Sequence, residues 1–187
     1  MYAAGAQVGT FRIDKAGNAS LSHLYLGSYY IKEITPPVGY LIAPDAHDVT
    51  CDYEGDMVAV VERTAESSET VKKQPFQIIK AGNDGETTDA PLLKGTGFSV
   101  YLISSLTKNA DGSFNYDAAT PIVVNADGSR ELFTGEKGYA KSIPIPYGKY
   151  IVKETTTPHN FNPVDDFRVT VSENLPDTPQ VWRVLLD

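Results

Sequence analysis

Short stretches of the chain alternate apolar with polar residues, which is the pattern of β-strands that bury one face. In the second half this pattern occurs at Phe76–Lys80, Gly97–Ile103, Tyr150–Lys153, Phe167–Val171 and Val181–Leu186. Asp111-Gly112 and Asp127-Gly128 stand between such stretches and are typical of hairpin turns. Short strands at this spacing predict an all-β fold built as a β-sandwich.

An internal repeat divides the chain into two copies of one module. Gly17 and Gly138 are 121 residues apart, and the same offset relates two further ordered pairs, Gly27 with Gly148 and Glu33 with Glu154. Further along the chain, the Val-Thr pairs at 49–50 and 169–170 match at an offset of 120, one residue fewer. An ordered series of this kind predicts two related domains.

The boundaries follow from a polar stretch between the copies. Residues 63–70 lack an apolar period and are typical of a linker. We therefore predict a partial β-sandwich at 1–63, a linker at 64–72 and a complete β-sandwich at 73–187. The first copy lacks a counterpart of the strand Phe76–Lys80, so either the chain is a fragment of a longer protein or this copy is a degenerate cap. We favour a fragment, since an exposed strand edge promotes aggregation. Its last strand is predicted at Met57–Val61.

Charge and composition narrow the class of function. The chain has 187 residues and a net charge of −8, which argues against nucleic-acid binding because phosphate contacts need a basic face. It has one cysteine and so cannot form an intrachain disulfide. No apolar run approaches the ~20 residues of a membrane-spanning helix. The three histidines are far apart, and the oxygen-bearing residues at 109–117 do not match a calcium loop. We expect no metal, no cofactor and no membrane contact.

One motif occurs in both copies. Gly27 begins the segment GSYYIKEITPPVGY, and Gly148 begins GKYIVKETTTPHNF. Both resemble the G-x-Y-x-x-x-E-x-x-x-P-x-G-Y signature of SpaA-like, prealbumin-type (Cna B-type) domains, although the second copy lacks the final Gly-Tyr. This resemblance implies a module of a Gram-positive surface protein, pilin or adhesin stalk. It also implies a location on the cell wall or cell surface, with neighbouring domains of the same parent protein as partners.

Strand periodicity points two ionisable side chains towards the core of the second copy. Glu154 shares a strand face with Tyr150 and Val152, and Lys80 shares one with Phe76 and Ile78. A buried carboxylate is costly unless it is protonated or paired, so we predict that Lys80 and Glu154 lie within hydrogen-bonding distance. The resemblance implies that such a lysine condenses with an Asn or Asp of the last strand, with the glutamate as the proton shuttle.

Asp187 is the only residue of the predicted last strand that fits this third role. Three alternatives stay open: a Lys80–Asp187 isopeptide bond assisted by Glu154, an unbonded ion pair, or exposure of both side chains. In the first copy Glu33 has the matching position, but its strand ends in Glu62 and a lysine strand is missing, so we expect no bond there.

The favoured interpretation is a structural stalk segment that acts on no external substrate. The alternative is a module that binds carbohydrate or a host protein through the 104–134 excursion. There Tyr101, Phe114, Tyr116 and Phe133 would supply an aromatic platform. No nucleophile elbow, catalytic triad or phosphate loop is present in the sequence, so an enzyme is not expected.

Overall fold

The computed structural model describes residues 2–82 and 91–175 and the backbone of residues 180–183. Within these ranges the fold is all-β, with two short 3-10 turns at Ile103–Ser105 and Glu136–Gly138. The described residues contain no helix that could cross a membrane. The chain forms two compact units, the first comprising 1–37 and 41–70, and the second 38–40 and 71–187. The domain boundaries predicted at 63 and 73 stay predictions.

Among the described residues, four strands occur before residue 72 and eleven follow in the second unit. The early strands are β1 Gly27–Ile31, β2 Tyr40–Leu41, β3 His47–Cys51 and β4 Thr70–Val71. The later strands are β5 Lys73–Gln74, β6 Gln77–Ala81, β7 Gly97–Leu102, β8 Thr107–Lys108, β9 Phe114–Asn115, β10 Glu131–Phe133, β11 Tyr139–Lys141, β12 Ile145–Pro146, β13 Gly148–Thr156, β14 Phe167–Val171 and β15 Gln180–Arg183.

The second unit is a β-sandwich. One sheet has the order β10-β7-β13-β14 and is antiparallel throughout. The other has the order β11-β6-β15, in which β15 runs parallel to the central strand β6. Apolar side chains from both sheets form one core, which includes Ile78, Phe98, Val152 and Val169. The predicted sandwich is therefore confirmed.

The period-two sequence pattern explains which faces are buried. In β14 the residues at 167, 169 and 171 are buried and the two between them are exposed. The middle strands β7 and β13 are buried more continuously. On their outer face Tyr101 stacks on Tyr116 of the excursion, with ring centroids 4.9 Å apart. The excursion therefore covers part of this sheet.

The first unit contains a single pair of longer strands. β1 and β3 are antiparallel, with Gly27 opposite Cys51 and Tyr29 opposite Val49. The second unit repeats this register, because Gly148 of β13 lies opposite Val171 and Tyr150 lies opposite Val169.

The repeat extends to individual hydrogen bonds. The Tyr29 hydroxyl donates to the carbonyl four residues earlier, and the Tyr150 hydroxyl does the same. Gly39 has a φ of 88°, and its counterpart Asn160 has a φ of 69°. Asparagine tolerates this left-handed conformation better than most residues, which explains how the second copy keeps the turn without glycine.

One predicted strand is wrong. Residues 57–61 do not form a strand, and Met57 and Val60 are 97% and 72% exposed. In the second unit the last strand, β15, pairs with β6. No strand of the described first unit corresponds to β6, so the segment at 57–61 has no ladder to join.

Candidate functional site

Strand β6 carries Lys80 into the core of the second unit. Ile78 and Lys80 lie on the same face of the strand and are 1% and 0% exposed. The Lys80 carbonyl accepts a hydrogen bond from the Leu93 N–H, which holds the backbone at this point. Gly138 packs against the same carbonyl, and a Cβ at Gly138 would stand 2.2 Å from that oxygen. Position 138 therefore requires glycine for close packing as well as for its φ of 64°.

Strand β13 presents Glu154 from the opposite sheet. Its inward neighbours Tyr150 and Val152 are 2% and 0% exposed, and the Glu154 side chain is fully buried. A bulge between Glu154 and Thr156 shifts the pairing with β7 immediately after the glutamate.

The structure brings the two predicted side chains together. Lys80 Nζ lies 2.7 Å from Glu154 Oε2, and both side chains have no exposed surface. The Val164 N–H also donates to Oε2, at 3.0 Å. Glu154 Oε1 is buried and has no hydrogen-bond partner among the described residues. Within the described part of the chain this oxygen is thus an exception to the rule that a buried carboxylate oxygen accepts a hydrogen bond.

The third predicted member, Asp187, lies outside the described residues. Strand β15 brings the end of the chain beside β6, with Trp182 opposite Lys80 in the parallel register.

Sequence reasoning missed a clamp around the bulge. Glu131 Oε1 accepts hydrogen bonds from the hydroxyls of Thr155 and Thr156, each at 2.7 Å. The same oxygen would lie 2.2 Å from a Cβ at Gly97, so a larger residue there would require the Glu131 side chain to move. The three consecutive threonines after Glu154 were the available signal, since their hydroxyls need partners beside a buried strand end.

The first unit places Glu33 in an equivalent backbone setting with a different charged neighbour. The Ala43 N–H donates to Glu33 Oε2 at 2.6 Å, ten residues along the chain, as Val164 does for Glu154. The carboxyl of Glu69 lies beside Glu33. Burial raises the pKa of Glu69, and the Glu33 carboxylate raises it further. Glu33 therefore faces a second acid where Glu154 faces a lysine.

The aromatic residues of the excursion do not form one platform. Tyr101 is buried and stacks on Tyr116, whose hydroxyl donates to the Asp166 carboxylate. Burial and the hydrogen bond to Asp166 raise the pKa of Tyr116. Phe114 lies under Lys108, with Nζ 3.4 Å from the ring centroid.

Phe133 is 52% exposed and lines a separate groove. The groove has a volume of about 670 Å³, and its other lining residues are Ser99, Asn125, Asp127, Ser129, Arg130 and Glu131. Of the four residues of the predicted platform, Phe133 lines this groove, whereas Tyr101 is buried against Tyr116, so ligand binding by the excursion stays a prediction.

Comparison with known proteins places the chain in a family. The SpaA family model, described as a prealbumin-like fold domain, matches residues 2–66 and 67–182. A search of curated protein sequences found no match.

Solved structures of related fold cover most of this chain. The Bacillus anthracis TIE protein is 22% identical over 94% of this chain and 27% of its own length, with a TM-score of 0.54. The minor pilin GBS52 of Streptococcus agalactiae is 19% identical over 93% of this chain and 64% of its own, with a TM-score of 0.42. A streptococcal ancillary pilin is 18% identical over 87% of this chain and 42% of its own length, with a TM-score of 0.44.

The present chain thus spans about a quarter of the length of the TIE protein and under two thirds of both pilins. The two family matches together cover nearly the whole chain, one for each copy of the repeat. The chain belongs to the SpaA family of prealbumin-like fold domains.

Proposed function

We propose that this chain is a stalk segment of a Gram-positive cell-surface protein, adhesin or pilin-like, whose partners are neighbouring domains of the same parent protein. The observation that carries this proposal is the fully buried contact between Lys80 and Glu154 inside a tandem prealbumin-like fold. A stalk must resist force and proteolysis, and this chain has a single cysteine and so no intrachain disulfide for that purpose.

We further propose that the pair forms an isopeptide bond with Asp187. The step requires the neutral amine of Lys80 and the protonated carboxyl group of Asp187. The amine attacks the carboxyl carbon, and a C–N bond replaces the bond between that carbon and the hydroxyl oxygen. Glu154 takes a proton from the attacking nitrogen and delivers it to the departing oxygen, so that one water leaves. Glu154 Oε1, which has no hydrogen-bond partner among the described residues, supports a third group beside the pair.

Intact-mass spectrometry of the full chain tests the bond directly. The crosslinked chain should be lighter than its sequence mass by one water. Lys80→Ala and Glu154→Gln should both restore the sequence mass, since the first removes the amine and the second cannot shuttle the proton. The matched control is Lys141→Ala, an exposed lysine of the same sheet, which should keep the loss of water. A wild-type chain at its sequence mass would eliminate the bond and leave the unbonded ion pair.

Single-molecule pulling tests the stalk role. The bond would close a loop of about 107 residues, whose stretched length is about 350 Å. When the crosslinked second unit is pulled, the measured extension should be shorter by this length. The Lys80→Ala variant should show the full extension. Full unfolding of the second unit at low force in the wild-type chain would contradict the proposal that this segment resists force.

A second candidate function is ligand binding by the excursion, supported by the groove beside Phe133. An exposed aromatic ring next to amide, hydroxyl and carboxylate groups suits a carbohydrate. A glycan array probed with the full chain tests it, with Phe133→Ala as the variant and Tyr139→Ala, another exposed aromatic residue, as the control. Binding that Phe133→Ala abolishes would favour this function. An array without signal would favour the stalk.

A further inference from the structure

The two oxygens of the Glu154 carboxyl group have different surroundings. Oε2 accepts hydrogen bonds from Lys80 Nζ at 2.7 Å and from the Val164 N–H at 3.0 Å. Oε1 has no hydrogen-bond partner among the described residues. A carboxyl oxygen has two lone pairs, and the two donors occupy both of those on Oε2. When Glu154 is protonated, its proton is therefore carried by Oε1.

The donor from Val164 belongs to the connection between β13 and β14, residues 157–166. The same connection contacts the end of β6, because the Phe161 ring packs so closely on Gly82 that a Cβ there would lie 2.3 Å from it. Val164 itself packs against the core. The connection thus contacts both the strand that carries Lys80 and the carboxyl group of Glu154.

Two residues after Val164, the connection is fastened to the outer face of the sheet. The Tyr116 hydroxyl donates to the Asp166 carboxylate, and Lys153 Nζ lies 3.6 Å from the other oxygen of that carboxylate. Tyr116 is in turn stacked on Tyr101 of β7. We call the hydrogen bond between Tyr116 and Asp166 the latch. Since Asp166 is the last residue before β14, the latch fixes the end of the connection that presents the Val164 N–H.

The first unit has the backbone contact without a carboxylate at the latch position. The Ala43 N–H donates to Glu33 Oε2 there. The residue directly before β3 is Ala46, whereas the residue directly before β14 is Asp166. The latch therefore accompanies the copy in which a lysine faces the glutamate.

We propose that the two oxygens of Glu154 have separate roles in forming the isopeptide bond, and that Asp166 and Tyr116 are positioning residues that maintain this separation. The inference rests on the bond proposed above. The latch holds the Val164 N–H on Oε2, which keeps Oε1 free to face the group that leaves.

The proton transfers balance in one step. As the C–N bond forms, Lys80 Nζ gives a proton to Glu154 Oε2. At the same time Oε1 gives its proton to the departing hydroxyl oxygen of Asp187, and one water leaves. Glu154 begins the step protonated on Oε1 and ends it protonated on Oε2, so no other acid or base is needed.

The rate of water loss tests the positioning role. Each chain is made in a short pulse of cell-free synthesis, and intact-mass spectrometry follows the loss of water with time. Tyr116→Phe and Asp166→Ala should each slow the loss about tenfold, because one charge-assisted hydrogen bond is removed. The double variant should be no slower than either single variant, since both remove the same bond. Asp166→Asn should stay within about twofold of the wild-type rate, because its amide oxygen still accepts from Tyr116.

Matched variants separate positioning from general stability. Tyr139→Phe removes a hydroxyl hydrogen bond on the opposite sheet and should leave the rate unchanged. Val164→Pro removes the N–H donor and should slow the loss of water, whereas Val164→Ala keeps the donor and should not. Amide hydrogen exchange at Val164 should be faster in Asp166→Ala than in the wild type, while exchange at Val152 in the core of β13 stays unchanged.

The outcomes distinguish this inference from the bond itself. If the wild-type and Asp166→Ala chains lose water at the same rate, the positioning role is overturned and the bond is retained. A wild-type chain at its sequence mass would overturn the bond and with it the separate roles of the two oxygens. Exchange at Val164 would then decide the remaining part, because equal exchange in the wild-type and Asp166→Ala chains would mean that the latch does not hold the N–H. If Val164→Pro does not fold, the comparison of Asp166→Asn with Asp166→Ala gives the same test.

Discussion

The two units share one repeat but differ in how completely they bury it. The second unit has two facing sheets and a common core, whereas the first has a single pair of longer strands. Most of the exposed large apolar side chains lie in the first unit, among them Ile13, Tyr30, Ile34 and Met57. Since the two copies match in sequence, in strand register and in several hydrogen bonds, the difference comes from the covering sheet rather than from the motif. The prealbumin-like motif thus determines the local geometry of its strands and turn. A second, facing sheet is needed to form a hydrophobic core with it.

The largest effect is expected from breaking the buried charge pair of the second unit. Lys80→Met leaves the Glu154 carboxylate buried without its cation, which should lower the free energy of unfolding by about 3–5 kcal/mol. Urea unfolding followed by the fluorescence of Trp182, the single tryptophan and a residue of β15, measures it.

Two controls sharpen this comparison. Lys80→Met combined with Glu154→Leu should be more stable than Lys80→Met alone, because neither chain has the covalent bond and the double variant has no unpaired charge. Glu33→Leu in the first unit should change stability by less than about 1 kcal/mol, since Glu33 is only partly buried. A Lys80→Met chain as stable as the wild type would mean that the pair does not contribute to the core.

A smaller effect is expected from one apolar substitution made in each unit. Ile78→Ala opens a cavity at a position that is 1% exposed and should cost about 2–4 kcal/mol. Ile13→Ala alters a side chain that is 61% exposed and should cost less than about 0.5 kcal/mol. Denaturant midpoints for the two variants give the comparison, and equal losses would contradict the difference in packing between the units.

The turn after each motif should show an effect of about 1–2 kcal/mol. Asn160→Ala places an ordinary residue at a φ of 69°, which is unfavourable by about 1–2 kcal/mol. Asn160→Gly restores the residue found at the matching position 39 and should not be destabilising by more than about 0.5 kcal/mol. Thermal unfolding of the two variants separates the role of the backbone conformation from that of the asparagine side chain.

Much of the second unit could be predicted from its sequence, because its buried positions follow the alternation of apolar and polar residues expected for strands. The alternation at 167–171 gave the bounds of β14, and inward placement of Lys80 and Glu154 followed from their apolar neighbours. The segment 57–61 misled the same reasoning. Its apolar run has strand propensity, but a strand also needs a neighbour to accept its hydrogen bonds.

Other features were beyond the reach of pattern reasoning. The clamp of Glu131 on Thr155 and Thr156 joins residues about 25 positions apart in a bulged region. The pairing of Glu33 with Glu69 was also missed, because residues 63–70 have the composition of a linker. Both contacts join residues that are close in the fold but distant in the sequence. The alternation of apolar and polar residues along a strand does not indicate such contacts.

The smallest effect concerns the acidic pair of the first unit and its dependence on pH. Burial and the Glu33 carboxylate raise the pKa of Glu69 above its ordinary value of 4.5. The folded chain therefore binds this proton more tightly than the unfolded chain does. The contribution of Glu69 to stability is then fully present below pH 4.5 and is lost as the pH rises through the raised pKa.

Carboxyl NMR titration of Glu69 in the full chain measures this shift. Glu33→Gln should lower the pKa of Glu69 towards 4.5, because it removes the neighbouring charge and leaves the burial in place. Glu69→Gln should remove the corresponding decline in stability of the first unit, measured by hydrogen exchange in β1 and β3 above pH 4.5. A Glu69 pKa that is unchanged by Glu33→Gln would show that the two carboxyls are not neighbours. The contrast with the lysine-paired Glu154 would then rest on apolar cover alone.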